Sequence, residues 1–272
     1  MPFVDLDDVK IYYEIHGPES GQPLLLLEGW GWYSWMWFRQ IPEFSKKYKC
    51  IVIDNRGVGK SSKPDYPYEM RMFAKDALGV LDYLNIKKVH VLGISMGGYI
   101  AQEFVLDYPD RVLSLIIVSS TFGGPNAIEA DNETFAKIYA IKTETISSEQ
   151  AYQMKMSVLA SKEWISANKN ITDQIKIWLY QNPQPISANL HQAHARTVFN
   201  VEEKLSSISQ PTLIIQGDSD LVVPPKNAEL LHEKIPNSKL VMIEKGQHWS
   251  FITHYQQFNQ IVMEFLEKFS NS

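Results

Sequence analysis

Ser95 is the residue whose surroundings most clearly suggest chemistry. It stands in Val89-His90-Val91-Leu92-Gly93-Ile94-Ser95-Met96-Gly97-Gly98-Tyr99, where a short apolar run passes through Gly-x-Ser-x-Gly into a helix-compatible segment. A strand that turns straight into a helix at a serine crowds the positions two before and two after it, and glycine at 93 and 97 removes that crowding. The serine is then strained and exposed, with its oxygen at a helix N-terminus where the dipole favours developing negative charge. The pentapeptide alone arises by chance in roughly one chain of this length in ten. The strand before it and the helix after it therefore carry the weight.

A serine hydroxyl is a poor nucleophile at neutral pH, so it needs a base within hydrogen-bond reach and a third group to fix the base's tautomer. Both types occur downstream. After the apolar run 212–216 comes Gly217-Asp218-Ser219-Asp220-Leu221-Val222-Val223-Pro224, and after 240–243 comes Glu244-Lys245-Gly246-Gln247-His248-Trp249. Residue order alone leaves Asp218 and Asp220 both open as the acid. Among the seven histidines, His16, His90, His232 and His254 read as ordinary strand, helix or surface residues, and His248 alone follows a late strand at a glycine turn. His191 and His194 share a helical face, but without a third ligand or an H-E-x-x-H spacing they imply no metal. No G-x-G-x-x-G follows the first strand, so no dinucleotide or other cofactor is expected.

Six runs, at 24–27, 50–53, 89–92, 113–118, 212–216 and 240–243, are nearly continuous in apolar residues, as strands covered on both faces must be. Between them lie helical stripes such as Phe73, Ala77, Val80, Leu81 and Leu84, repeated near the C-terminus by Phe258, Ile261, Val262, Phe265 and Phe269. Strand and helix in alternation predict an α/β fold with a mostly parallel central sheet covered by helices. Residues 3–6 and 9–14 alternate around Asp7-Asp8, as an antiparallel hairpin does. From 122 to 207 the strand rhythm stops, with interruptions at Gly123-Gly124-Pro125 and Pro183-Gln184-Pro185. The expected division is therefore a core of residues 1–121 and 208–272, with residues 122–207 inserted as a helical cap.

A length of 272 residues suits one domain with an insertion. The net charge of -5, with no Lys/Arg cluster interleaved with aromatics, sets nucleic acid aside as a partner. Cys50 is the only cysteine and lies in an apolar run, so it reads as a core residue in a reducing compartment. The N-terminus carries acids where a secretion signal carries positive charge. No apolar run approaches the roughly 20 residues that cross a bilayer, so a cytoplasmic protein without membrane contact is expected.

Together these segments resemble the α/β-hydrolase superfamily, and within it the capped esterases, lactonases, carbon-carbon bond hydrolases and cofactor-free haloperoxidases. The segment Asp54-Asn55-Arg56-Gly57-Val58-Gly59-Lys60-Ser61, the turn at Ser95, the acid segment and Gly246-Gln247-His248 carry the resemblance. It implies Ser95 as nucleophile and His248 as base. It also implies Asp220 rather than Asp218 as acid, because the family's aspartate stands three residues after the glycine and four before the proline. By the same resemblance the oxyanion hole is made of the backbone N–H groups of Met96 and Trp30. Where the family usually has His-Gly before the second donor, this chain has Glu28-Gly29-Trp30. Asp54, Arg56, Gly57 and Gly59 correspond to a structural turn.

Trp30, Trp32, Trp35 and Trp37 crowd one loop, and aromatics of that size wall apolar pockets. Trp30, Trp32 and Trp249 are the expected substrate contacts, and Trp164, Trp178 and Tyr180 of the insertion are further candidates. The expected activity is hydrolysis of a small carboxylic ester or lactone through an acyl-enzyme. The alternatives are carbon-carbon bond cleavage or enol-lactone opening on the same residues, since fold does not fix substrate, and a slow-turnover ligand receptor. A serine at 95 speaks against a haloalkane dehalogenase, which needs an aspartate there.

Overall fold

The computed structural model describes residues 2–140 and 145–269. Its centre is an eight-stranded sheet in the order β1-β2-β4-β3-β5-β6-β7-β8. The strands are β1 (Phe3–Asp5), β2 (Lys10–His16), β3 (Gln22–Leu27), β4 (Tyr48–Ile53), β5 (Val89–Ile94), β6 (Val112–Val118), β7 (Thr212–Gly217) and β8 (Ser238–Ile243). β1 and β2 form the expected antiparallel hairpin, β2 runs antiparallel to β4, and every later pairing is parallel.

The apolar runs have to be continuous because successive strand residues point to opposite faces and both faces are covered. Leu25, Leu27, Ile51, Ile53, Val91, Leu115 and Ile117 enter one core. Leu24, Leu26, Cys50, Val52, Leu92, Ile116 and Val118 enter the other. The first core is closed by α2 (Met70–Tyr83) and α3 (Met96–Asp107), the second by α1 (Ile41–Phe44), α10 (Ser250–Thr253) and α11 (Tyr255–Leu266), while α9 (Lys226–Lys234) packs beside β7 and β8. The stripe predicted from Phe73 to Leu81 is the buried face of α2, with Leu84 at its C-cap. β8 departs from expectation. Leu240 and Val241 are half-buried and Met242 is exposed, because β8 is an edge strand with one neighbour. Cys50 is buried, and its thiol is pushed up to about 12 by burial. His90 is buried on β5 beside Ser114 Oγ at 2.8 Å, and burial holds it down to about 4. Both are inert core residues.

Between β6 and β7, among the described residues, stand the α-helices α4 (Asn132–Ile138), α5 (Ser148–Leu159), α6 (Lys162–Ala167), α7 (Lys169–Gln181) and α8 (Ile186–Val198). The chain leaves and re-enters the core side by side. Val201 N–H donates to Phe122 O at 3.0 Å and Gly124 N–H to Phe199 O at 3.1 Å, around an isolated antiparallel bridge between Gly123 and Asn200. The far ends of these helices reach the loops after β3 and β4. Gln192 accepts from Gly31 N–H (3.0 Å) and donates to Arg56 O (2.9 Å), while Trp30 Nε1 donates to Asn189 O (3.3 Å).

The loop after β4 is anchored by a buried ion pair. Arg56 Nε and Nη2 meet the two carboxylate oxygens of Asp76 at 2.6 and 2.7 Å, and Nη1 donates to Tyr66 OH at 3.0 Å. Asp54 on the same loop accepts from Ser34 N–H and Lys60 N–H at 2.9 and 2.8 Å. Removing one partner of a buried pair typically costs about 3–5 kcal/mol, and because Arg56 Nη1 also donates to Asp8 Oδ2 at 3.2 Å, the lower end applies here. Asp76→Ala should therefore lower unfolding stability by about that amount in urea at pH 7. The joint replacement Arg56→Met/Asp76→Leu should cost distinctly less than Asp76→Ala alone.

Candidate active site

At the carboxyl end of β5 the chain turns into α3 at Ser95, which has φ 55. Such a backbone costs about 1–3 kcal/mol and persists only where the surroundings impose it. Here Ser95 N–H donates to Val118 O at 2.9 Å, and Ser95 O accepts from Gly98 N–H and Ser120 Oγ, both at 2.8 Å. The glycines are required by space. A Cβ at 93 would overlap the Gly97 carbonyl, and one at 97 the Leu27 carbonyl. Met96 is the first residue of α3, so its N–H has no acceptor within the helix. The loop after β3 closes on this turn, since a Cβ at Gly29 would lie 3.4 Å from Ser95 Cβ.

The loops after β7 and β8 are stitched together by Asp218 N–H to Ile243 O (3.1 Å) and Ser219 N–H to Gly246 O (2.9 Å). Asp220 is buried. Its Oδ1 accepts from the N–H groups of Val222 and Val223, each at 2.9 Å, and its Oδ2 accepts from Gln216 Nε2 at 3.0 Å and meets His248 Nδ1 at 2.9 Å. Asp218 is exposed and, among the described residues, accepts only from its neighbour Ser219. Of the two aspartates it is thus Asp220 that meets the imidazole. A carboxylate accepting from Nδ1–H leaves Nε2 as the proton acceptor of the ring.

Ser95, Met96 and His248 share a chamber of about 60 Å3 with Trp30, Trp32 and Leu159. No hydrogen bond joins the Ser95 hydroxyl to the imidazole among the described residues. In hydrolases such contacts commonly tighten only around the reacting group. Trp249 packs behind the chamber. It is 1% exposed and lies outside the chamber lining, its ring 5.1 Å from that of Trp32, because the turn after His248 drives it into the core. Trp37 is fully buried, and Trp35 stacks on Trp178 of α7 at 5.3 Å. His191 pairs with Asp65 at 2.9 Å.

Several chamber residues were invisible to sequence reasoning because they come from the helical stretch between β6 and β7. Tyr139 packs on Trp30 with centroids 4.5 Å apart, and Arg196, also on the chamber wall, is ion-paired with Glu129. Helical spacing there does not distinguish residues facing the core from residues facing a cavity.

Glu28 is fully buried at the base of the Trp30 loop. Its Oε1 accepts from Asn55 N–H at 2.9 Å, and its Oε2 has no partner among the described residues. Burial first, and the nearby Asp54 charge second, push its carboxyl well above the usual carboxylate range. Where the resembled family carries a histidine, this protein thus holds an acid whose neutral form burial favours.

The sequence profile described as alpha/beta hydrolase fold matches residues 22–255. A putative carbamate hydrolase RutD from Pseudomonas savastanoi pv. phaseolicola is 30% identical, covering 94% of this chain and 98% of the relative. A pimeloyl-[acyl-carrier protein] methyl ester esterase from Aeromonas hydrophila is 27% identical over 91% of this chain and 96% of its own. Among solved structures, an esterase from Exiguobacterium antarcticum superposes with a TM-score of 0.86 at 26% identity, covering 98% of this chain and 99% of the other.

The buried acid makes a signed prediction. In the unfolded chain Glu28 ionises near pH 4.5, whereas the fold raises its carboxyl above that value, so this residue's contribution is complete below that pH and is lost as pH rises through the raised folded value. The loss proceeds at up to about 1.4 kcal/mol per pH unit. Glu28→Gln has the same shape and cannot ionise. Its stability relative to the parent should therefore grow between pH 5 and pH 8 in urea denaturation. Parallel pH profiles for the two proteins would contradict the raised carboxyl.

Proposed function

Because the chain belongs to the α/β-hydrolase family, we propose that this hydrolase cleaves a small carboxylic ester or lactone through an acyl-enzyme on Ser95. The observation that carries the reading is the 2.9 Å contact between His248 Nδ1 and buried Asp220, with the imidazole walling the same chamber as the strained Ser95. Ser95 Oγ attacks the carbonyl carbon while His248 Nε2 takes its proton. Asp220 holds the ring in the tautomer that can do so and stabilises the imidazolium that forms. The tetrahedral oxyanion lies against the N–H groups of Met96 and Trp30, where one such donor is worth on the order of 100- to 1,000-fold in rate. His248 returns the proton to the leaving alcohol, then deprotonates the water that releases the acid.

Residues 122–207 act in this reading as a cap. Their helices supply Leu159, Tyr139 and Arg196 to the chamber wall and keep bulk water from the acyl-enzyme. The names of the relatives agree with acyl transfer as the shared step, one being called a carbamate hydrolase and another a methyl ester esterase.

With 4-nitrophenyl acetate as substrate, Ser95→Ala should lower kcat by at least about 1,000-fold. Asp220→Asn, which keeps the shape but favours the wrong tautomer, should lower it by about 100- to 10,000-fold with little change in KM. A Ser95→Ala protein as fast as the parent would end the proposal.

A further inference from the structure

The chamber at Ser95, at about 60 Å3, has room for the reacting carbonyl and its nearest atoms only. Any larger part of a substrate must extend elsewhere. Next to it lies a second cavity of about 300 Å3 between α5 and the segment joining α7 to α8. Trp30, Trp32 and Ile138 line both spaces, so the larger one adjoins the chamber at Ser95 along these side chains.

The larger cavity is mostly apolar, but Lys155 of α5 projects into it. Its Nζ lies 5.4 Å from the centroid of the Trp30 ring, and no carboxylate or hydrogen-bond acceptor meets it among the described residues. No acid belongs to the described lining, whereas amide groups of Asn182 and Asn189 do. The contrast with the first chamber is informative, because Arg196 there is already neutralised by Glu129. Within residues 122–207, Lys137 pairs with Glu133 and Lys176 with Glu149. Burial lowers the Lys155 ammonium to about 8, and an anion beside it would offset the hydration that burial removes. The overall charge of -5 repels anions at long range, so attraction for one has to come from a local cation.

We propose that the larger cavity is a subsite for a carboxylate held by Lys155, and that the substrate is an ester or lactone carrying this carboxylate away from the scissile bond. The proposal rests on the Ser95 reading for the position of that bond, and on the cavity and its lysine for the anion. The indole of Trp30, fixed by its bond to Asn189 O, separates the reacting end of such a substrate from the charged end.

Two matched ester pairs test it, with the charge on the leaving group in one and on the acyl chain in the other: 4-acetoxybenzoate against 4-methylphenyl acetate, and monomethyl adipate against methyl hexanoate. The parent should favour the charged member of at least one pair by tenfold or more in kcat/KM. Lys155→Met should cut that preference about ten- to a hundredfold, the range expected for losing a charged hydrogen bond. A parent without preference in either pair, or a preference that survives the substitution, overturns the subsite. A second measurement needs no turnover. Calorimetric titration of monomethyl adipate into Ser95→Ala should show binding that weakens at least tenfold in Ser95→Ala/Lys155→Met, with circular dichroism confirming that both fold, and equal affinity or no binding overturns the subsite. If Ser95→Ala instead hydrolyses the neutral esters as fast as the parent, the Ser95 reading fails and the titration alone judges the subsite.

Discussion

A backbone turn with no room for side chains at residues 93 and 97 is the constraint on which the site depends. Because a Cβ at either position would collide with the main chain of Gly97 or Leu27, β5 can pass into α3 within one residue. Ser95 is thereby held at φ 55 at the head of the helix. That strain is maintained by bonds with Val118 and Ser120, at and just beyond the end of β6, and with Gly98 in the first turn of α3. The parallel arrangement of the later strands brings the ends of β7 and β8 to the same edge of the sheet, where Asp220 and His248 meet.

Charge around this edge is managed by burial rather than by solvent. Glu28 and Asp54 both lie under the Trp30 loop with their carboxyls raised by burial, and each accepts backbone N–H groups that fix the loop's course. Asp76 is held against Arg56, whose carbonyl in turn receives Gln192 of α8. The loop after β3, the loop after β4 and the inserted helices therefore form one connected polar network, and the position of Trp30 depends on all three.

The sheet was legible because a strand covered on both faces must be apolar at every position, a pattern that α2 and α11 do not share. The edge strand β8 was legible as a strand but not as an edge, since its half-exposed Leu240, Val241 and Met242 are chemically indistinguishable from core residues. Ser95 and His248 stood out by their glycine turns. Asp220 could be separated from Asp218 only through family resemblance, because periodicity says nothing about which of two turn aspartates folds inward. Trp249, beside His248 in sequence, packs into the core, a placement that its aromatic character alone does not reveal. Lys155, Tyr139 and Arg196 were unreadable because the insertion's helical stripes are shared between core-facing and cavity-facing positions.

The most direct test is the crystal structure of the protein reacted with a small alkyl phosphonate ester, whose tetrahedral phosphorus copies the reacting carbon. The account predicts a covalent bond to Ser95 Oγ, with His248 Nε2 within about 3 Å of that oxygen or of the leaving-group position. The phosphoryl oxygen should be about 2.7–3.1 Å from the N–H groups of Met96 and Trp30. Phosphorus bound to another residue, or an adduct at Ser95 with the imidazole turned away and the phosphoryl oxygen in solvent, would contradict it.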